Sequence, residues 1–131
     1  MARSKTARPL TPLELEVMDA LWAVESGTVQ DVRGKLGRRR PPLAYNTVQT
    51  ILTILHRKGR VKRRLVGKAF VYEPILSKQH TAAAMLRDLV DRVFGGSPTE
   101  LMMTMLGHER LRPEDLKRIR HLIQEHEDAS S

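Results

Sequence analysis

One stretch of this sequence carries side chains suited to selective recognition rather than to bond-breaking. On a helix turning about 100° per residue, Asn46, Gln49, Thr50, Thr53 and Arg57 fall within about 60° of one direction. Ala44, Val48, Ile51, Leu52 and Leu55 gather round the opposite one. Thr47 and Tyr45 flank the polar side. An ordinary solvated helix face is rich in Glu and Lys, which support helix propensity; this one is built of amides and hydroxyls. Asn and Gln can both donate and accept at the edge of an adenine, and a Thr methyl can touch a thymine methyl. The residues from Tyr45 to Thr50 that face outward (Tyr45, Asn46, Thr47, Gln49 and Thr50) are therefore candidates for reading bases in a DNA groove. A plain polar surface is the competing reading.

Cations surround the segment. Arg38, Arg39 and Arg40 precede it, and Arg57, Lys58, Arg60, Lys62, Arg63 and Arg64 follow. Lys68 sits beside Gly67 further on. The 131-residue chain has a net charge of +8, and residues 1–74 hold 15 Lys and Arg against 6 Asp and Glu. The remainder holds 8 against 9, so all of the positive excess lies in the first part. Lys and Arg near a phosphate backbone supply affinity and salt sensitivity, not sequence reading. Arg57, Lys62, Arg64 and Lys68 are the candidates for that role. A solvated basic surface is again the bland alternative.

These residues need a scaffold to position them. Thr11-Pro12-Leu13-Glu14 combines a capping box with Pro at the first helical position, which predicts a helix carrying Leu13, Val17, Met18, Leu21 and Trp22 and ending near Ser26-Gly27. Thr28 to Asp31 opens a short second helix with Val29, Val32 and Leu36 inward, closed by Gly37. The third runs from about Ala44 to Lys58 and stops at Gly59. The period then changes to two: residues 61–66 and 69–74 read as strands around a Gly67-Lys68 turn. Three helices and then a hairpin is the order of a winged helix-turn-helix, whose third helix can enter the major groove with the hairpin beside it on the phosphates. The fold class is thus mainly α with a small β-hairpin.

From Ser77 the helical period returns. Ala82, Leu86, Leu89, Val90 and Val93 share one face, and Gly95-Gly96 ends the segment. Ser97-Pro98-Thr99-Glu100 opens a helix that is apolar at almost every position from Leu101 to Leu106, as one buried on all sides would be. Gly107 is read as its end. Pro113 starts a final amphipathic helix carrying Leu116, Ile119, Leu122 and Ile123. So few residues of amphipathic helix make a poor independent core, so dimerisation is expected through Leu86, Leu89, Val93, Leu101, Met105, Leu116, Ile119 and Ile123. The division expected is a basic flexible arm over 1–9, a winged helix over 10–75, a helical dimerisation region over 76–127 and a tail over 128–131.

Composition removes several classes. The chain has no cysteine, which excludes a disulfide scaffold, thiolate catalysis and zinc sites built on thiolates. No apolar run approaches the roughly 20 residues of a membrane span, and no apolar core follows the basic N-terminus as in a secretory signal. The cytoplasm is the expected compartment, without membrane insertion. No Ser or Asp has a His neighbour at a nucleophile-like turn, no glycine-rich loop could cradle a phosphate, and no enzyme, metal site or cofactor is expected. His121 and Glu125 are spaced as a surface pair. Met102, Met103 and Met105 at helical spacing are core material before they are a copper(I) site. A ligand-sensing repressor with a small-molecule pocket, or a winged-helix module for protein partners, are the other functions open.

Several runs taken together resemble the BlaI/MecI/CopY family of penicillinase-type repressors. They are Leu10-Thr11-Pro12-Leu13-Glu14-Leu15-Glu16-Val17-Met18 with Leu21-Trp22, then Thr28-Val29, then Asn46-Thr47-Val48-Gln49-Thr50-Ile51-Leu52, then Leu55 and Lys58-Gly59, and Gly67-Lys68-Ala69-Phe70-Val71-Tyr72. The resemblance spans roughly Leu10 to Ile123. It implies a homodimeric winged-helix repressor on a palindromic, double-stranded DNA operator, dimerised by its C-terminal helices. It also implies release from DNA through a membrane sensor-protease, with the scissile bond of the family falling at Thr104–Met105. This chain lacks the Asn–Phe pair common at that bond, and it lacks the cysteine hook of the copper-responsive branch.

Overall fold

The computed structural model describes residues Pro9 to Ser130. The expected basic arm over 1–9 lies outside the described residues apart from Pro9. Six helices and one hairpin follow in order: α1 Pro12–Val24, α2 Val29–Lys35, α3 Tyr45–Arg57, β1 Val61–Val66, β2 Ala69–Pro74, α4 Lys78–Val93, α5 Pro98–His108 and α6 Pro113–Ser130.

Local chemistry sets most of the boundaries. The Thr11 hydroxyl accepts from the Glu14 amide at 3.2 Å, and the Glu14 carboxylate accepts from the Thr11 amide at 3.1 Å. Thr28 and Asp31 repeat this reciprocal cap on α2, which satisfies two of the donors a helix start leaves open. Ser97 caps α5 through the Glu100 amide. At the hairpin, Val66 pairs with Ala69 across a two-residue turn whose first residue, Gly67, has φ +63°. A positive φ at that place costs a glycine nothing.

The chain divides into two compact units, residues 1–85 and 86–131. In the first, α1, α2, α3 and the hairpin enclose a core of Val17, Met18, Leu21, Val32, Val48, Leu52, Leu55, Val61 and Tyr72. The sequence pattern missed one tie. The backbone of Gly27 exchanges hydrogen bonds with Tyr72 in both directions, at 3.0 and 2.8 Å, so the α1–α2 connection lies as a third edge against β2. Gly27 is buried, and a Cβ there would lie 2.8 Å from Cβ of Asp31, the capping residue of α2. Two further contacts extend this unit into α4. The Trp22 indole donates to the Leu76 carbonyl at 3.0 Å, and Lys78 pairs with Asp19 at 3.2 Å. The two compact units meet between Met85 and Leu86, inside α4.

The second unit holds the rest of α4 with α5 and α6. Three details of the sequence pattern change here. Gly107 lies within α5, which His108 completes; with no Cβ contact nearby, the glycine weakens the helix without stopping it. The helix α6 continues through Ser130, into the stretch expected as a tail over 128–131, with a Gln124–Asp128 bond at 3.0 Å and a Ser130 hydroxyl on the His126 carbonyl. The Leu101–Leu106 stretch is not enclosed in the single chain: Leu101 is partly covered, and Met102, Met103, Met105 and Leu106 are exposed. An apolar stretch signals what must be covered, not what covers it.

Candidate nucleic-acid interface

The third helix has the two faces its sequence implied. Val48, Ile51, Leu52 and Leu55 are buried, whereas Tyr45, Asn46, Thr47, Gln49 and Thr50 are all exposed. The hydrophobic face is what fixes the polar one outward. Among these five, none of the side chains is drawn into a bond to the protein's own backbone, so their donors and acceptors remain available. Thr53 differs: its hydroxyl donates to the Gln49 carbonyl at 3.0 Å and is committed to its own helix. The start of α3 also contrasts with the capped helices. Its N-cap is Ala44, which offers no side-chain acceptor, so the first-turn amides stay open. Open amides at a helix N-terminus suit an anion such as a phosphate.

The surrounding cations sort into three groups. Arg57, Arg64 and Lys68 are exposed, the last at the hairpin turn. Lys62 is exposed too, but Glu73 across the hairpin lies 3.7 Å away and offsets part of its charge. The basic turn is largely spent on structure: Arg39 pairs with Glu16 at 2.7 Å and also donates to the Pro41 carbonyl, and Arg40 donates to the Gly37 and Arg39 carbonyls. Arg38 is left exposed.

Lys58 and Arg60 turn inward, contrary to the pattern of a continuous basic surface. The Lys58 ammonium lies 2.6 Å from the buried carboxylate of Glu14 and donates to the Pro9 carbonyl at 3.1 Å. Arg60 is buried, its amide bonded to the Leu55 carbonyl and its carbonyl to the Ile75 amide. Burial pushes the Glu14 carboxyl up, yet the Lys58 hydrogen bond and charge, with the Thr11 amide and hydroxyl, outweigh it and hold the group below the usual carboxylate range. Burial lowers the Arg60 guanidinium, partly countered by the charge of Glu14. This ionic cluster joins the first turn of α1 to the end of α3. Sequence spacing gave no sign of it, because 44 residues separate Glu14 from Lys58.

Among the described residues no group of acidic or His side chains could hold a metal ion, and no helix is long and apolar enough to cross a membrane. His121 and Glu125 pair at 2.9 Å on the surface of α6. A hollow of about 470 Å³ opens beside Trp22, Glu25, Glu73 and Lys78. It is shallow and bordered by charges, unlike the enclosed apolar pockets that hold small ligands.

A model of the penicillinase repressor family matches residues 10–125. The chain belongs to this family. Its members are DNA-binding transcriptional repressors, not enzymes. Among its relatives, the penicillinase repressor of Bacillus licheniformis is 24% identical over 119 residues, which are 91% of this chain and 92% of that protein. The transcriptional regulator BlaI of Mycobacterium tuberculosis is 38% identical over 80 residues, 60% of this chain and 57% of that protein. The solved hsRosR-S4 complex shares the fold, with a TM-score of 0.52 at 15% identity over 98% of each chain. The family match covers the capping box, the third helix and the hairpin in one span, so the winged helix-turn-helix read from the order of elements stands.

Proposed function

We propose that this repressor acts as a homodimer that reads a palindromic DNA operator with α3. Tyr45, Asn46, Thr47, Gln49 and Thr50 contact base edges. Arg57, Lys62, Arg64 and Lys68 contact phosphates, and the uncapped first turn of α3 adds amide donors. The observation that carries this reading is the exposed amide-and-hydroxyl face of α3, anchored by a wholly buried apolar face, in a chain of a DNA-binding repressor family.

The region after residue 75 pairs two copies, and 10–75 does the reading. Leu86, Leu89, Val93, Met105, Leu116 and Ile123 are exposed apolar side chains, with Leu101 and Ile119 partly covered. Exposed apolar side chains recurring at helical spacing on three successive helices suit a covering surface, and a two-fold dimer suits two half-sites about one helical turn apart. The protein works in the cytoplasm, and family membership supports release through a membrane sensor-protease that acts near Thr104–Met105.

Titration with duplex fragments at two salt concentrations tests the reading, with sedimentation to count copies. Binding that weakens steeply with salt and saturates at two chains per site is expected. Absence of salt-dependent binding would remove the DNA reading, and a monomer at high protein concentration would remove the dimer.

A further inference from the structure

We propose that Arg63 is the oriented contact of the hairpin to DNA, held for that role by the ring of Phe70; the inference rests on the DNA-binding reading above. Strand register places Val61, Arg63 and Leu65 opposite Pro74, Tyr72 and Phe70. Along this face Val61 and Tyr72 are buried, whereas Leu65 is 63% and Phe70 39% exposed. Arg63 therefore sits where the hairpin leaves the protein body and begins to project, and it is itself partly exposed.

The guanidinium carbon lies 4.2 Å from the centre of the Phe70 ring. That ring in turn meets Tyr72, centre to centre at 6.3 Å and tilted by 57°. Tyr72 is fixed by the core and by its paired backbone bonds to Gly27. A rigid series thus runs from the α1–α2 connection through Tyr72 and Phe70 to Arg63. Contact with the ring holds the guanidinium without using its N–H donors, which keep the planar fork that matches phosphate oxygens. Among the described residues no carboxylate pairs with Arg63, in contrast to Lys62 beside Glu73.

Arg64 and Lys68 are exposed and meet no ring or carboxylate among the described residues, so binding them to a phosphate orders a long side chain. Arg63 is ordered beforehand, so less freedom is lost when it engages oxygens of the duplex. Its contribution depends on shape as well as charge. Phe70 acts as a positioning residue, because it touches Arg63 and not the ligand.

The test uses the full chain and the tightest duplex selected from a random-sequence pool. Affinity and its salt slope are measured for the native chain, Arg63→Lys, Arg63→Ala, Phe70→Leu and the Arg63→Ala/Phe70→Leu double variant. Arg63→Lys is expected to lose about ten-fold in affinity while keeping the salt slope, because the charge survives and the fork does not. Arg63→Ala is expected to lose several-fold more than Arg63→Lys and to lower the slope by about one unit, because fork and charge both go. Phe70→Leu loses several-fold, and the double variant is no worse than Arg63→Ala alone. Arg63→Lys binding like the native chain, or losses that multiply in the double variant, would overturn the proposal. Should Phe70→Leu fail to fold, the Lys and Ala variants of Arg63 still decide it. A native chain with no salt-dependent binding overturns the DNA reading itself, and this inference with it.

Discussion

The two units of this chain bury their apolar side chains to very different degrees. In residues 1–85 a dozen apolar side chains form a closed core among three helices and a hairpin. In residues 86–131 only Val90 is buried among the described residues, while Met102, Met103, Leu106, Leu122 and Ile123 are each more than half exposed. Both stretches carry apolar residues at helical spacing. What separates them is the presence of long-range partners: the hairpin and Gly27 close the first core, whereas among the described residues of the second most apolar side chains stay exposed. The first unit carries its stability within one chain. The second leaves its apolar faces exposed, as the proposed dimer would require.

The largest expected effect lies in the closed core. Leu52→Ala removes a fully buried side chain and should cost about 2–5 kcal/mol in denaturant unfolding, with no dependence on protein concentration. Ile123→Ala should behave oppositely. Where the chain is dilute enough to be monomeric it should change stability by less than about 0.5 kcal/mol, and its cost should appear as the concentration rises. Equal effects at both concentrations would break the contrast between the units.

Next in size is the ionic cluster. Lys58→Met leaves the buried Glu14 carboxylate without its ammonium and should cost about 2–3 kcal/mol at pH 7. The sign of its pH dependence follows from the lowered folded-state carboxyl. Its stabilisation is full above the unfolded value of about 4.3 and is lost as pH falls through the folded one. Denaturant midpoints compared between pH 7 and pH 3 should therefore fall further for the native chain than for Glu14→Gln. An identical fall would show that the carboxyl titrates alike in both states.

The smallest effect on folding belongs to the interface. Ala44→Ser supplies the missing N-cap of α3 and should stabilise the helix by about 0.5–1 kcal/mol. The same change should weaken DNA binding, because the new hydroxyl would occupy an amide that the proposed contact leaves for phosphate. Thermal unfolding and duplex affinity measured on one preparation separate the two, and stabilisation with unchanged affinity would show that those amides meet no anion.

Much of this was legible in the chain itself, and the reason is range. The capping boxes at Thr11 and Thr28, the Gly67 turn and the opposed faces of α3 are each set within a few residues, so their spacing reveals them. Glu14 with Lys58, Gly27 with Tyr72, and Trp22 with the Leu76 carbonyl are contacts over tens of residues and leave no periodic trace. Charge type misled for the same reason. Lys58 and Arg60 belong by sequence to the same basic run as Lys62, Arg63 and Arg64, yet Lys58 turns inward to the distant Glu14 and Arg60 is buried. The stacking of Arg63 on Phe70 depends on hairpin register, which the turn fixes but the residue types alone do not display.

The outward face of α3 is tested most directly at Gln49. Duplexes selected by the native chain are bound again by Gln49→Ala at fixed salt, with each base pair of the site varied in turn. The expected result is a loss of about 1–3 kcal/mol with specificity relaxed at one position of each half-site and the salt slope unchanged. Native affinity and native base preference in the Gln49→Ala chain would contradict it.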